Sequence, residues 1–553
     1  MVTLNSSSKY VLVGLLTLSQ LSLCGAQSVP ATPYAPELAT IVASYRNLWR
    51  STQEKVKNTV VQVFALFAEV NMLQPYQTPD QQMGKGSGFF IDNDGHIVTN
   101  FHVVKHALAT WIQIPALGKR WIKVKVISVC PERDIALLKI IDEELLVVRE
   151  QLGGTIPTLP LGDSDKIRPS DEVLALGYPL GLQSVKSTTG VISGVEKQMI
   201  QMSAPSNPGS SGGPLLNTDG EVVGINTSGY DKIRTRDGSI PIQNTNFIIP
   251  INDFKLILPD MLKMPMIRKP YLGILTIRAE NLTDYLGNPE PGGCYIVDLV
   301  KDSPFDKAGV KAGDMLYEIN GHRLDIYGEM TVPWTDVKVS VVDYGSRLHM
   351  NEPAKLVVYR NGQRLEFTVT FDPKEAQPLR KVYPAYEDID YEVFGGFVVM
   401  PLTVNHIEEL KDQVPGLEDF ARPKSPKEPV LVITHIFQDS QLGCLRVLSE
   451  GSTLQEVNGI KVATLTEFRD AVRQGIGKKY LVIKATDNVS CASDNLLAVL
   501  PLEKIVKEEP ELSHNYRYPM TDLAKQVCAY YQSESAALAP VDQASTNPDQ
   551  ETT

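Results

Sequence analysis

The sequence predicts a mainly β protein built of several domains. At roughly 150 residues per domain, its 553 residues correspond to three or four folded units. Between about residues 60 and 250, short apolar runs such as 135–140 and 221–226 are separated by Gly, Asn and Asp, which is typical of an all-β barrel or sandwich. Because strand-like and helix-like stretches do not alternate there, the sequence does not indicate a parallel sheet.

The composition excludes several classes of protein. Hydrophobic residues make up 43% of the chain and charged residues 21%, the values of an ordinary globular protein. The net charge of −12 argues against nucleic-acid binding, which depends on Lys and Arg to neutralise phosphates. A polytopic membrane protein is not expected, because the only long apolar run lies at the amino terminus.

The amino terminus predicts export. Lys9 precedes the apolar stretch 11–23, and the small residues Cys24 and Ala26 fit a signal-peptidase site. We predict that residues 1–26 form a signal peptide cleaved after Ala26, which leaves no integral membrane span. The periplasm is the expected compartment; secretion, an organelle lumen and a lipoprotein anchored through acylated Cys24 are the alternatives.

The remaining cysteines do not form an evident disulfide framework. They are odd in number and scattered along the chain, and neither they nor the eight histidines show the spacing of metal ligands. A nucleotide-binding P-loop pattern is also missing from the sequence. We therefore expect neither a metal nor a cofactor.

Proline-bearing and charged connectors divide the chain into segments. We predict a linker with an amino-terminal helix at 27–55, a β-rich domain at 56–255, two smaller α+β domains at 265–375 and 391–508, and a mostly disordered tail at 509–553. The two smaller domains share an internal repeat, since segments 314–321 and 452–459 both end in Glu, an aliphatic residue, Asn and Gly.

The segment Asn207-Pro-Gly-Ser-Ser-Gly-Gly-Pro214 carries the main chemical signal. Glycine at 209 permits backbone angles that let its N–H and that of Ser211 point at one spot, as an oxyanion hole requires. A serine hydroxyl needs an adjacent base to act as a nucleophile, and His102 and Asp134 offer a base and an orienting acid upstream. The order His, Asp, Ser is that of chymotrypsin-type double barrels.

Several motifs together resemble those of the HtrA/Deg family of exported serine proteases. They occur in the family's order and span the first β-rich domain, at residues 86–89, 99–104, 134–138, 176–180, 207–214 and 221–226. The nearby His96 and His106 lack the Thr-Asn-x-His context of His102. Ser211 rather than Ser210 precedes Gly-Gly-Pro, as in the family.

The resemblance implies a chymotrypsin-like double β-barrel with the active site between the barrels. In it Ser211 attacks the peptide carbonyl, His102 transfers the proton, Asp134 orients the imidazole, and the N–H groups of Gly209 and Ser211 hold the oxyanion. It further implies a homo-oligomer built of trimers, and a specificity pocket that we place at Ser206, Ile225, Asn226 and Thr227.

The second domain resembles the PDZ domains appended to HtrA/Deg proteases. It begins with Tyr271, Leu272, Gly273 and Ile274, and Ser303 followed by Pro304 predicts a capped helix start. The resemblance implies that a partner's carboxyl-terminal peptide adds as a strand while that loop holds its carboxylate. A structural β-domain without a ligand is the alternative. The long stretch 324–352 is similar to the plant-organelle Deg branch.

The third domain is a degenerate version of the second. Phe394-Gly-Gly-Phe397 stands at the position of the carboxylate-binding loop, and the Ser-Pro helix motif is reduced to Asp439-Ser-Gln-Leu-Gly443. We therefore predict a PDZ-like domain that serves assembly rather than peptide capture.

The leading hypothesis is an exported, ATP-independent serine endopeptidase that degrades misfolded or damaged proteins, with its PDZ domains binding substrate tails or regulating cleavage. The alternative is a catalytically impaired chaperone or PDZ scaffold. Ser203, Ser206 and Ser210 motivate the alternative, because they depart from the family pattern next to the nucleophile.

Overall fold

The computed structural model describes residues 49–538, except 51, 55, 197–198, 228–231, 236–237, 242–245, 351, 373–378, 423–427 and 492. The chain divides into two units, Met1–Lys55 and Val56–Thr553. In the first unit, residues 49–50 and 52–54 are helical, whereas the predicted signal peptide lies outside the described residues. In the part of the chain that the structure describes, no helix is both long enough and apolar enough to cross a membrane.

The first six strands close into barrel 1, in the order β1-β2-β3-β6-β5-β4. Its interior is filled by aliphatic and aromatic side chains, many of them from alternate strand positions such as Val61, Val63 and Ala65. The strands are β1 Val60–Ala68, β2 Gln81–Phe90, β3 His96–Thr99, β4 Ala107–Gln113, β5 Ile122–Cys130 and β6 Ile135–Ile140, with helices α1 Phe101–Val104 and α2 Asp142–Gln151.

Barrel 2 closes in the order β10-β11-β14-β9-β8-β7. Its strands are β7 Glu172–Gly177, β8 Lys186–Glu196, β9 Met199–Met202, β10 Pro214–Leu216, β11 Val222–Asn226 and β14 Asn246–Pro250. A separate hairpin is formed by β12 Lys232–Thr235 and β13 Gly238–Pro241, and helix α3 Ile251–Met261 follows the barrel. Short 3-10 turns occupy Pro115–Leu117, Pro131–Arg133, Ser164–Lys166 and Pro179–Gly181.

The first PDZ-like domain is an antiparallel sheet in the order β15-β16-β17-β21-β22, so β15 lies at an edge. Its elements are β15 Ile274–Ile277, α4 Leu282–Tyr285, β16 Cys294–Leu299, α5 Pro304–Lys307, β17 Met315–Ile319, β18 His322–Arg323, β19 Glu329–Val332, β20 Thr335–Ser340, α6 Val341–Gly345, β21 Pro353–Arg360 and β22 Gln363–Thr370. The predicted helix start is confirmed, because Ser303 Oγ accepts from Asp306 N and Pro304 is the first helical residue.

The second PDZ-like domain repeats this sheet and adds one strand at its edge, in the order β23-β24-β25-β26-β28-β29. Its elements are β23 Glu392–Phe394, β24 Phe397–Pro401, α7 Val404–Leu410, the 3-10 turn Pro415–Leu417, α8 Glu418–Ala421, β25 Leu431–Ile436, α9 Gln441–Leu445, β26 Thr453–Val457, β27 Ile460–Lys461, α10 Leu465–Arg473, β28 Tyr480–Thr486, β29 Leu496–Pro501, α11 Leu502–Tyr516 and α12 Asp522–Leu538. The predicted fold class, two β-barrels followed by two PDZ-like domains, is confirmed.

The predicted disordered tail is wrong for residues 509–516 and 522–538, which lie in helices α11 and α12. The side chains of Ile505, Leu523 and Val527 are at most 1% exposed and belong to the core of the second PDZ-like domain. The apolar residues recur at helical spacing, but the many polar residues between them and Pro510 concealed that pattern in the sequence. The remaining tail, 539–553, lies outside the described residues.

Candidate active site

His102 lies in helix α1 after β3, and Asp134 follows the turn before β6, so the two residues meet beside barrel 1. His102 Nδ1 lies 2.8 Å from Asp134 Oδ2 and 3.0 Å from Asp134 Oδ1. The backbone N–H of His102 also donates to Asp134 Oδ1 at 2.9 Å. Because Nδ1 faces the carboxylate, the other ring nitrogen, Nε2, is left to face a substrate or nucleophile.

Asp134 is held from several directions. It follows the turn Pro131–Arg133 in a left-handed conformation with φ of 54°. Its carbonyl accepts from the Asn100 side chain at 3.0 Å, and its Oδ2 accepts from the Thr227 hydroxyl at 2.8 Å. Thr227, a residue of the predicted specificity pocket, thus uses its hydroxyl to hold the carboxylate that faces His102.

Ser211 lies in the loop between β9 and β10, against the end of β3 where the helix of His102 begins. Ser211 O accepts from Ser87 N at 2.8 Å. At Gly212, which has φ of 85°, a Cβ would lie 2.1 Å from Ser87 O and 2.3 Å from Thr99 Oγ1. Only glycine permits this close approach, which brings the serine loop of barrel 2 against the histidine helix of barrel 1.

The backbone around Gly209 presents two N–H donors. Gly209 has φ of 98°, and a Cβ there would lie 2.5 Å from Tyr178 O. Its neighbouring carbonyls are engaged elsewhere, since Pro208 O accepts from Leu180 N at 2.6 Å and Gly209 O accepts from the Ser87 hydroxyl at 2.7 Å. Among the described residues, no atom accepts from the N–H of Gly209 or of Ser211. Both N–H groups are therefore left without an acceptor in the described part of the chain, as an oxyanion site would require.

Sequence reasoning missed the role of Ser87. Its hydroxyl donates to Gly209 O and accepts from Tyr178 N at 2.9 Å, while its N–H donates to Ser211 O. The fully buried Ser87 thus fastens both ends of the segment 209–211. The motif at 86–89 contained the signal, but the pattern alone does not show where the hydroxyl points.

The predicted specificity pocket stays a prediction. Ile225 and Asn226 are 0% and 1% exposed in β11, so their side chains lie in the interior of the protein. Asn226 instead supports the serine loop, because its carbonyl accepts from Gly212 N at 2.8 Å and its side chain donates to Leu176 O at 3.1 Å. Of the predicted pocket residues, Ser206 is partly exposed.

The loop Tyr271, Leu272, Gly273 and Ile274 of the first PDZ-like domain leads into a strand at the edge of its sheet. Gly273 has φ of 71°, and a Cβ there would lie 2.2 Å from the Cβ of Ser303. In the described part of the chain, the N–H groups of Leu272 and Gly273 have no acceptor. Strand β15, which begins at Ile274, lies at the edge of its sheet. An edge strand that follows a loop with two N–H groups lacking an acceptor is one requirement of strand addition by a carboxyl-terminal peptide.

The corresponding loop of the second PDZ-like domain is filled by its own chain. Gly395 and Gly396 have φ of 70° and 87°, and the N–H of Gly395 donates to Glu509 Oε2 at 3.1 Å. Strand β23 pairs antiparallel with β24 along the edge that is free in the first domain. A side-chain carboxylate and a strand of the same chain therefore occupy the places that a bound peptide takes.

In the described ranges, no cluster of three or more His, Cys, Asp or Glu side chains could hold a metal ion. Cys130, Cys294, Cys444, Cys491 and Cys528 are free thiols.

Three family models match the chain: a trypsin-like peptidase domain at residues 86–225, a PDZ domain at 270–371 and a further PDZ domain at 382–521. The chain is 32% identical over 319 residues to a probable periplasmic serine endoprotease DegP-like of Marinomonas sp. (strain MWYL1), which covers 55% of this chain and 61% of that protein.

It is 29% identical over 322 residues to the serine protease Do-like HtrA of Bacillus subtilis (strain 168), covering 54% of this chain and 65% of that protein. Both alignments span less than two thirds of the relative's own length. A solved structure described as the HtrA-type protease AlgW with decapeptide matches 59% of this chain and 99% of that chain, at 23% identity and a TM-score of 0.44.

Proposed function

We propose that this chain, which belongs to the HtrA/DegP family of serine proteases with a trypsin-like domain followed by two PDZ domains, is a serine endopeptidase. The observation that carries the proposal is the pairing of His102 Nδ1 with Asp134 at 2.8 Å, beside a serine loop with two unengaged N–H donors. These groups provide the base, its orienting acid, the nucleophile and the oxyanion site of acyl transfer.

In the proposed reaction, the Ser211 oxygen attacks the peptide carbonyl while His102 takes the hydroxyl proton and passes it to the leaving amine. Asp134 keeps the imidazole in the required tautomer and stabilises its cation, and Thr227 holds Asp134 in place. The N–H groups of Gly209 and Ser211 stabilise the tetrahedral oxyanion. Water then hydrolyses the acyl-enzyme by the same proton route in reverse.

For the substrates, we propose unfolded or damaged proteins, whose carboxyl-terminal segments bind the first PDZ-like domain by strand addition on β15. The second PDZ-like domain serves assembly or regulation, because Glu509 and β23 fill its own groove. We further propose that the protein acts after export, as relatives named periplasmic endoproteases suggest. We also propose that it forms trimers. Light scattering of the mature chain measures its mass and so tests the trimer.

Cleavage of casein by the full chain tests the proposed activity. Ser211→Ala should lower the rate at least about a thousandfold, because the loss of the nucleophile leaves only oxyanion and binding contributions. Ser210→Ala is the matched control, since it removes the neighbouring hydroxyl from the same loop, and should retain activity. Unchanged cleavage by Ser211→Ala would refute Ser211 as the nucleophile, whereas a wild-type chain that does not cleave casein would favour a chaperone or scaffold.

A further inference from the structure

The linker between the two PDZ-like domains packs against the back of the histidine helix. Tyr383, at 6% exposed, belongs to the core of barrel 1. Its ring meets Phe101 edge to face, with centroids 5.3 Å apart, and the ring of Tyr386 lies 6.2 Å from the same phenylalanine. Phe101 directly precedes His102, so two rings from the linker define where that helix can lie.

The same linker is bonded to the turn that carries Asp134. Arg268 donates to Glu132 Oε1 at 2.8 Å, to the carbonyl of Lys381 at 3.0 Å and to Glu387 Oε2 at 2.6 Å. Glu132 lies two residues before Asp134, in the turn Pro131–Arg133. The guanidinium of Arg268 also lies 5.4 Å from the centre of the Tyr383 ring. One arginine thus joins the aspartate turn to the linker.

The linker is itself a folded structure rather than a loose tether. Glu387 accepts from the N–H of Tyr383 at 3.1 Å and from Arg380, which closes a turn. On the other side, Val382 and the Asn405 side chain exchange two hydrogen bonds of 2.8 and 2.9 Å, which fix the linker to helix α7 of the second PDZ-like domain.

We propose that the linker segment 380–387 is a positioning element of the catalytic centre, which ties the placement of the second PDZ-like domain to the geometry of His102 and Asp134. The segment acts through Phe101 on the histidine and through Arg268 and Glu132 on the aspartate. None of these side chains touches the substrate, so they are positioning residues. The inference rests on the proposed peptidase function, in which small displacements of reacting groups reduce the rate strongly.

The test compares three variants of the full chain. Tyr383→Leu removes the ring and should lower kcat for a peptide substrate by about tenfold or more, with KM within about twofold, because the chemistry rather than binding is disturbed. Tyr383→Phe keeps the ring, so its kcat should equal that of the wild type. Tyr359→Leu is the matched control, because Tyr359 is also 6% exposed and pairs with another ring but lies in the first PDZ-like domain.

The rate of amide hydrogen exchange is a second measurement, and it does not depend on catalytic activity. Tyr383→Leu should accelerate exchange at residues 101–105 and 131–134, whereas Tyr359→Leu should not. If Tyr383→Leu fails to fold, Arg268→Gln takes its place with the same expected results.

Unchanged kcat and exchange in the Tyr383→Leu or Arg268→Gln protein, or an equal loss of kcat in Tyr359→Leu, would overturn the proposal. Failure of the peptidase function itself has a different signature, because wild type and Ser211→Ala would then be equally inactive while the exchange experiment still decides the positioning role.

Discussion

The two PDZ-like domains have the same framework, but they differ in whether their own chain fills the groove in which a peptide would bind. In both, an Asn-Gly turn places Asn320 or Asn458 in the left-handed region, with φ of 50° and 53°. In both, a loop glycine lies against a helix-capping serine, where a Cβ would come within 2.2 Å of the Ser303 Cβ and 2.3 Å of the Ser440 Cβ. The internal repeat seen in the sequence is thus a structural repeat.

The difference lies in what covers the edge strand and the loop. In the first domain, β15 pairs with no strand on its outer side among the described residues, whereas in the second β23 pairs with the corresponding strand β24. Glu509 is fully buried and accepts from Gly395 N and from the Tyr518 hydroxyl at 2.8 Å. A glycine loop of the right shape therefore does not establish peptide binding, because the chain can supply both the carboxylate and the strand itself.

Matched glycine substitutions should give the largest difference between the two domains in peptide affinity. Gly273→Ala places a Cβ on Ser303 at a positive φ and should weaken binding of an apolar carboxyl-terminal peptide at least about tenfold, because the loop must distort. Gly396→Ala should leave peptide affinity unchanged and lower the free energy of unfolding of its own domain by about 3 kcal/mol. Fluorescence anisotropy with a labelled peptide and urea unfolding measure the two effects. Loss of binding in Gly396→Ala would show that the second groove is the peptide site.

Removal of the internal carboxylate should have the next largest effect. Glu509→Ala leaves the buried N–H of Gly395 and the Tyr518 hydroxyl without their acceptor, and should lower the free energy of unfolding by about 1–3 kcal/mol. Glu509→Gln keeps an acceptor oxygen and should cost less. Peptide affinity should not rise in either variant, because β23 still covers the edge. A new peptide site in Glu509→Ala would contradict this account.

Glu509 should also make the stability of its domain depend on pH. Burial raises the pKa of this carboxyl from 4.5 to about 7. Between these pH values, the folded protein holds a proton that the unfolded chain has lost, so the free energy of unfolding contributed by this group falls as pH rises from 4.5 to about 7. Thermal unfolding of wild type and Glu509→Gln across this range measures the difference, which should narrow toward pH 5. Parallel curves at all pH values would exclude the titration.

The smallest effect is expected for the serine caps that the domains share. Ser303 accepts from Asp306 N and Ser440 accepts from Gly443 N at 3.0 Å, each at the start of a short helix. Ser303→Ala and Ser440→Ala should each lower the free energy of unfolding by about 1 kcal/mol. Urea unfolding checks this; a loss in only one domain would show that the caps are not equivalent.

Local motifs in the sequence predicted the candidate site residues, but they did not predict contacts between residues that lie far apart in the chain. Gly209, Ser211, His102 and Asp134 stand in short patterns whose residue types are those that the proposed chemistry requires. The partner of Gly395 is Glu509, far along the chain in a segment whose polarity suggested disorder, so no local pattern connects the two.

The direction in which a side chain points could not be predicted from the sequence either. Thr227 follows a buried strand, and a pattern of residues does not show whether its hydroxyl faces a substrate pocket or Asp134. The docking of Tyr383 on Phe101 depends on tertiary packing between a linker and a barrel. Such contacts appear only when the path of the whole chain is known.

Labelling with a fluorophosphonate, followed by mass spectrometry of the modified peptide, tests the central claim most directly. This reagent modifies serine only when a base and an oxyanion site activate it. We expect a single phosphonylated residue, Ser211, in the wild-type chain, and its loss in His102→Ala. An unlabelled wild-type protein, or labelling of Ser211 that persists unchanged in His102→Ala, would contradict the account.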